Sequence, residues 1–240
     1  LAAAGAGAAA GAGAAGLAVR RVPDPMIDLS LLRNRLYAAN AAAAFASHVA
    51  GAGALGYFSL YVQGTLGTPP AEAGLWFLTY SLPALATPLL LGRVAHRFPP
   101  AVLVALSPLL TAVSSLLLLA ACPARSWPAM VPGFVVGGLA GVGNLVSSQV
   151  ALASAPPERA GVAGGITSAA KQVGIAAGVA VLGIPYRLDG LAAMLATTTG
   201  VAVLGALPAL RLVLRPQARA DAAATGPDRA PLRAPQGGQR

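Results

Sequence analysis

The sequence predicts an all-α, polytopic membrane protein, and three observations carry that prediction. The chain is too apolar to cover itself in water: 56% of its 240 residues are hydrophobic, only 10% are charged and the mean hydropathy is +0.71, whereas a soluble domain carries about a quarter charged residues. The apolar residues fall in blocks of roughly 20, the length a helix needs to cross about 30 Å of hydrocarbon. The basic residues gather in alternate gaps between those blocks, as short cytoplasmic loops do. A barrel would need alternating segments of about ten residues, and the sequence has none.

Residues 1–19, "LAAAGAGAAAGAGAAGLAV", read as the end of a truncated span, with an Ala/Gly low-complexity linker as the alternative. A signal peptide would place basic residues before its apolar run; here Arg20 and Arg21 follow it. Residues 20–36 read as a cytoplasmic amphipathic linker. Asp28 is suited to capping a short helix, and Leu29, Leu32 and Leu36 share a face that would lie on the inner leaflet. Six full spans follow, at 37–61, 73–92, 101–122, 128–151, 164–185 and 190–212. Residues 213–240, rich in Pro, Gly, Ala and Arg without an apolar period, read as a disordered basic cytoplasmic tail.

Placing residue 1 outside puts Arg20, Arg21, Arg33, Arg35, Arg93, Arg97, Arg159, Lys171, Arg211 and the five tail arginines on the cytoplasmic side, and leaves Arg125 and Arg187 outside. The cytoplasmic clasp at 93–100 is basic for that reason. The charge of +9 therefore reports topology and not nucleic acid. Tyr57, Tyr61, Trp76, Trp127 and Tyr186 fall near the outer span ends, as an interfacial belt or as core packing. Fifteen of the 16 basic residues are Arg, a bias associated with GC-rich bacterial genomes.

The chemistry open to the chain is narrow. One cysteine, Cys122, and two histidines exclude a disulfide framework and leave little for a metal site. No nucleophile–base pair and no cofactor motif appears, so an enzyme is not expected. "GVAGG" at 161–165 follows no strand and precedes no Gly-Lys-Ser/Thr, so it is no phosphate cradle. Gly133, Gly137 and Gly141, Gly174 and Gly178, and Gly7 and Gly11 repeat at four-residue spacing, which lets helix backbones approach closely in lipid.

Polar residues within spans are costly and mark candidate sites. At 100° per residue Asn40, Ala44, Ser47 and Gly51 form one stripe with His48 on its flank; Asn144 and Ser148 stand one turn apart in the span 128–151. These two helices are expected to line an aqueous cavity. The alternatives are local backbone hydrogen bonds for the serines and interhelical ones for the asparagines. His48 titrates in the range suited to a proton relay or pH sensor, or is simply packed and hydrogen-bonded. No Asp or Glu stands in the middle of any span: Asp24, Asp28, Glu72, Glu158, Asp189, Asp221 and Asp228 lie in connections, at span ends or in the tail.

The order of motifs resembles the fourteen-span drug:proton antiporters of the major facilitator superfamily. "PMIDLSLLRNR", "AEAGL" at 71–75, the basic clasp and "PPERAGVAGGITSAAKQVGIAAGVAVLG" at 156–183 carry the resemblance, over nearly all of 1–214. In the last segment Pro157, Glu158, Arg159, Gly161, Gly165, Gln172, Gly174 and Gly178 match the family pattern; Lys171 stands for the usual Arg, Ser168 for Asn and Ile175 for Gly. In the clasp, which also holds Arg93, Gly92 and Arg97 match a degenerate loop motif; His96 stands where Asp is usual and Pro99 where Gly is usual.

The resemblance implies the C-terminal six-helix bundle of an alternating-access carrier in a bacterial plasma membrane, with a cytoplasmic C-terminus. It implies substrate contacts from Asn40, Ser47, His48, Tyr57, Tyr61, Asn144 and Ser148. It also implies gating and packing roles for Glu158, Arg159, Gly161, Gly165, Lys171, Gln172, Gly174 and Gly178. The partners it implies are the lipid bilayer, a small-molecule substrate, protons and an absent N-terminal bundle, whose carboxylates would carry most of the proton coupling. A non-transporting membrane remnant, a partner-binding scaffold, or a carrier of another substrate class in the same superfamily are the alternatives.

Overall fold

A computed structural model describes residues 34–93, 97–155, 157 and 160–214. The partial span 1–19, the linker through residue 33 with Asp28, the tail from 215, and His96, Glu158 and Arg159 lie outside the described residues. The described residues are helices joined by short turns, with no strand among them. In order they form α1 (Arg35–Ser47), a π-turn (His48–Ala52), α2 (Gly53–Leu60), a second π-turn (Tyr61–Thr65), α3 (Pro70–Leu91), α4 (Pro100–Ala121), a 3-10 turn (Cys122–Ala124), α5 (Trp127–Leu139), α6 (Val142–Ala153) and α7 (Ala160–Leu214).

Local chemistry sets the boundaries. The Asn34 side chain accepts from the amides of Leu36 (3.0 Å) and Tyr37 (3.4 Å) and so starts α1, satisfying two amides that have no partner within the helix. Pro70 and Pro100 open α3 and α4, where a missing N–H costs nothing. Gly67, at φ 69, turns the chain before α3.

α7 runs for 55 residues, about 80 Å at 1.5 Å per residue and far longer than the hydrocarbon core is thick. It reverses at Gly190, whose φ of 76 and ψ of −159 only glycine adopts readily. Contacts show the reversal. On the first arm, Tyr37 meets Ala163, and a Cβ built on Gly174 or Gly178 would meet Phe45 or Val49. On the second arm, Leu191, Met194 and Leu195 share a core with Phe58 and Val62, while Gly205 meets Ala46 and Ala209 packs with Ala39 and Ala43. The first arm therefore runs parallel to α1–α2 and the second antiparallel. With α1–α2, α3, α4 and α5–α6, the described residues make six rods.

The connections sort to two ends. Asn34, Gly92, Phe98 and Ser154 surround one opening, with Arg93 and Arg97 exposed beside it. Thr65, Cys122, Arg125, Asp189 and Gly190 surround another at the opposite end. The outer face is apolar: Leu85, Leu89 and Leu188 are 68, 69 and 76% exposed, which suits hydrocarbon and not water. The chain is thus a multi-pass membrane protein.

At the Cys122 end the aromatics are packed inward. Trp76 stacks on Trp127 at 5.1 Å, and Trp127 meets Phe134 at 4.7 Å. Trp127 and Tyr61 are buried, so core packing prevails over an interfacial belt for both.

Candidate functional site

A polar concavity lies inside the bundle, where the first π-turn faces α4 and the α5–α6 joint. It is a cavity of about 100 Å³ lined by Ser47, His48, Tyr80, Ser107, Thr111, Ser114, Ser115, Asn144 and Thr198, with Leu55, Phe58, Leu118 and Phe134 as its apolar wall. That volume holds about three waters and is well short of the roughly 300–1,000 Å³ of a drug-sized pocket.

α4 supplies the polar floor. Ser107, Thr111, Ser114 and Ser115 recur at i, i+4, i+7 and i+8 and share a face. Two of these hydroxyls bond back one turn, Thr111 to Ser107 O and Ser115 to Thr111 O, each at 3.0 Å. Two cross to α5 and its joint, Ser114 to Gly133 O at 2.7 Å and Ser107 to Ala140 O at 2.9 Å. The Ser107 hydroxyl also lies 3.4 Å from that of Ser47. The sequence reading assigned no role to this stripe, although its four-residue period in an apolar span was the signal.

His48 opens the π-turn. Its Nδ1 lies 2.8 Å from Ala44 O. A carbonyl only accepts, so Nδ1 carries the hydrogen and Nε2 of the neutral ring is left as a proton acceptor. The ring also faces the Asn144 side chain and lies within electrostatic reach of Lys171. The π-turn is there because α7 opposes it with glycines. A Cβ on Gly174 would lie 2.7 Å from Phe45 O, one on Gly53 would lie 2.7 Å from Gly178 Cα, and one on Gly178 would collide with Val49 O. The wide turn needs a neighbour without side chains.

The predicted residues divide as follows. Ser47, His48 and Asn144 line the cavity. Asn40 does not: it is buried beside it, donating to Ser147 O at 3.0 Å across to α6. Ser147 Oγ next to it is buried without a partner. Ser148 is exposed and bonds to Asn144 O at 3.0 Å, one turn back. Tyr57 and Tyr61 are not at the cavity. The Tyr57 hydroxyl donates to Val179 O and its ring lies 5.1 Å from Tyr186, while Tyr61 packs near Cys122 and Trp127. The resemblance, and not the helical wheel, puts these two tyrosines at the cavity: at 100° per residue they stand roughly 70–110° off the stripe of Asn40, Ala44, Ser47 and Gly51.

In the loop motif, Gly92 ends α3 and Arg93 and Arg97 are exposed. Gly174 and Gly178 form the close approach just described. Gly161 and Gly165 do not share it, since a Cβ at either would meet nothing within 4 Å. Gln172 is exposed. The Lys171 ammonium points across to α6, 3.4 Å from Asn144 O and 3.5 Å from Ser148 Oγ.

Comparison with known proteins agrees with this architecture. The family profile described as "Major Facilitator Superfamily" matches residues 41–237. The chain is 34% identical over 172 residues to the multidrug resistance protein Stp of Mycobacterium tuberculosis, covering 68% of this chain and 30% of that protein. It is 31% identical over 186 residues to the multidrug efflux pump LfrA of Mycolicibacterium smegmatis, covering 76% and 37%. It is 29% identical over 217 residues to the methylenomycin A resistance protein of Streptomyces coelicolor, covering 85% and 44%. The chain spans less than half the length of each of these relatives.

Proposed function

The chain belongs to the major facilitator superfamily, a family of transporters and not of enzymes, and on that premise we propose that it supplies the C-terminal helical bundle of a proton-driven exporter of drug-like molecules. The observation that carries the reading is the polar cavity inside an otherwise apolar bundle, with His48 and Asn144 at its edge. At about 100 Å³ the cavity is too small for a drug-sized ligand, so the substrate sits where this wall faces a second bundle. The exposed polar strip of Asn144, Ser148 and Gln149 on α6 is the surface such a bundle would cover. Alternating access then consists of one bundle rocking against the other around that site.

Proton antiport asks for a group that titrates within the membrane. His48 is the candidate on this side, with Nε2 as the ring nitrogen left to take a proton; coupling is shared with carboxylates of the N-terminal bundle. Orientation follows from charge. Arg35, Arg93, Arg97 and Arg211 mark one end and Arg125 and Arg187 the other, so the positive-inside rule puts the C-terminus in the cytoplasm of a bacterial plasma membrane. The printed roles of the relatives support multidrug or antibiotic export as the substrate class.

The test uses the full-length transporter in liposomes with an imposed pH gradient and the ethyl ester of rhodamine B as the cationic dye. The wild type moves dye against its gradient, and a protonophore abolishes the movement. His48→Ala retains dye binding but loses roughly tenfold or more of the proton-driven rate. No dye movement by the wild type refutes the exporter, and an unchanged pH dependence in His48→Ala removes His48 from the coupling.

A further inference from the structure

Lys171 places an ammonium in a part of the bundle where the described residues hold no acid. It stands eleven residues after Ala160, about a third of the way along an arm of roughly 45 Å to Gly190, in the half nearer Arg35. Its helix does not turn it toward lipid. Val173 and Ile184, 60% and 61% exposed and apolar, lie roughly 200° around the helix, while the Lys171 ammonium reaches inward to α6.

What it meets there is insufficient. Its contacts are Asn144 O at 3.4 Å and Ser148 Oγ at 3.5 Å, both beyond the 2.7–3.2 Å of a good N–H···O bond, and Asn144 O already accepts from Ser148 Oγ at 3.0 Å. An ammonium has three donors, and a membrane-embedded cation normally pairs with an acid or lines a ligand path. Among the described residues the acids are Glu72, at the start of α3, and Asp189, at the reversal of α7, and both are at the far end of the bundle from Arg35. Lys171, Asn144 and Ser148 together leave an ammonium facing the polar strip next to the cavity mouth, within electrostatic reach of His48.

We propose that Lys171, seated between Asn144 and Ser148, is a carboxylate-binding site at the mouth of the cavity. It rests on the transport reading for its setting. The carboxylate belongs either to the transported molecule or to a side chain of the transporter's other bundle, and both sources use the same ammonium–carboxylate pairing.

Rhodamine B and its ethyl ester distinguish the sources, because they share one xanthylium cation and differ in a free carboxylate. Binding of each to the full-length transporter in nanodiscs is measured by fluorescence polarisation for the wild type, Lys171→Gln and Lys171→Arg. In parallel, the rate at which a membrane-impermeant maleimide labels Cys122 reports the balance between outward and inward states. If a substrate carboxylate is the ligand, the wild type prefers the acid to the ester by roughly tenfold, the worth of one charge-assisted hydrogen bond; Lys171→Gln abolishes the preference and Lys171→Arg keeps it. If the ligand is a carboxylate of the other bundle, Lys171→Gln leaves dye preference unchanged, shifts the Cys122 labelling rate severalfold, and Lys171→Arg restores it. Dye preference and labelling rate both unmoved by Lys171→Gln overturns the proposal. An acid preference that follows Lys171 while the wild type fails to pump either dye sinks the exporter reading and leaves the site standing.

Discussion

Replacing Gly178 with alanine tests whether close backbone approach holds the first π-turn against α7. A Cβ at Gly178 would collide with Val49 O and lie 3.0 Å from Gly53 Cα, where carbon atoms rest at about 3.5–4.0 Å. Both obstacles are backbone, so neither can rotate away, and the helices must part by about 0.5–1 Å. Overpacking of this kind costs about 1–3 kcal/mol. Gly165→Ala is the internal control: it stands in the same helix, and a Cβ there meets nothing within 4 Å. Both substitutions gain the same helix propensity, about 1 kcal/mol, so the difference between them isolates the clash. The gap of about 1–3 kcal/mol corresponds to roughly 2–12 °C in apparent midpoint, at about 2–4 °C per kcal/mol for a chain this long. The assay is thermal unfolding of the detergent-solubilised protein followed by size-exclusion fluorescence. Equal midpoints for Gly178→Ala and Gly165→Ala would refute the claim that this contact is set by the absence of a side chain.

Two further outcomes follow from the geometry. Gly190→Ala should destabilise by about 1–3 kcal/mol, because φ 76 and ψ −159 exclude an L side chain although nothing within 4 Å obstructs a Cβ. The same thermal assay checks it, and a midpoint equal to wild type would show that the two arms do not need this reversal. In intact cells, Cys122 should react with an impermeant maleimide from outside, whereas Ser154→Cys in a Cys122→Ser background should react only after permeabilisation. Reaction of both from one side would invert or abolish the orientation.

Much of the bundle was legible in the sequence because the bilayer imposes length and charge rules on each span separately. Apolar blocks near 37–61 and 101–122 correspond to rods at Arg35–Thr65 and Pro100–Ala121, and Pro70, Pro100 and Gly190 stand where local chemistry stops or starts a helix. The arginines marked alternate connections because each hairpin must return to the same end.

The site was only partly legible. Ser47, His48 and Asn144 could be found by asking which polar residues stand in apolar spans, since that cost is local. Tyr57 and Tyr61 were named by the resemblance alone, and their contacts with Val179 and Tyr186 and with the core around Trp127 hold them elsewhere. The α4 hydroxyls gain their meaning from the α5–α6 joint they bond to. Residue composition and spacing determined that the chain crosses a bilayer and which ends meet; the phase of each helix, and so which side chains share the cavity, was decided by backbone contacts between segments more than a hundred residues apart, whose energies no local rule contains.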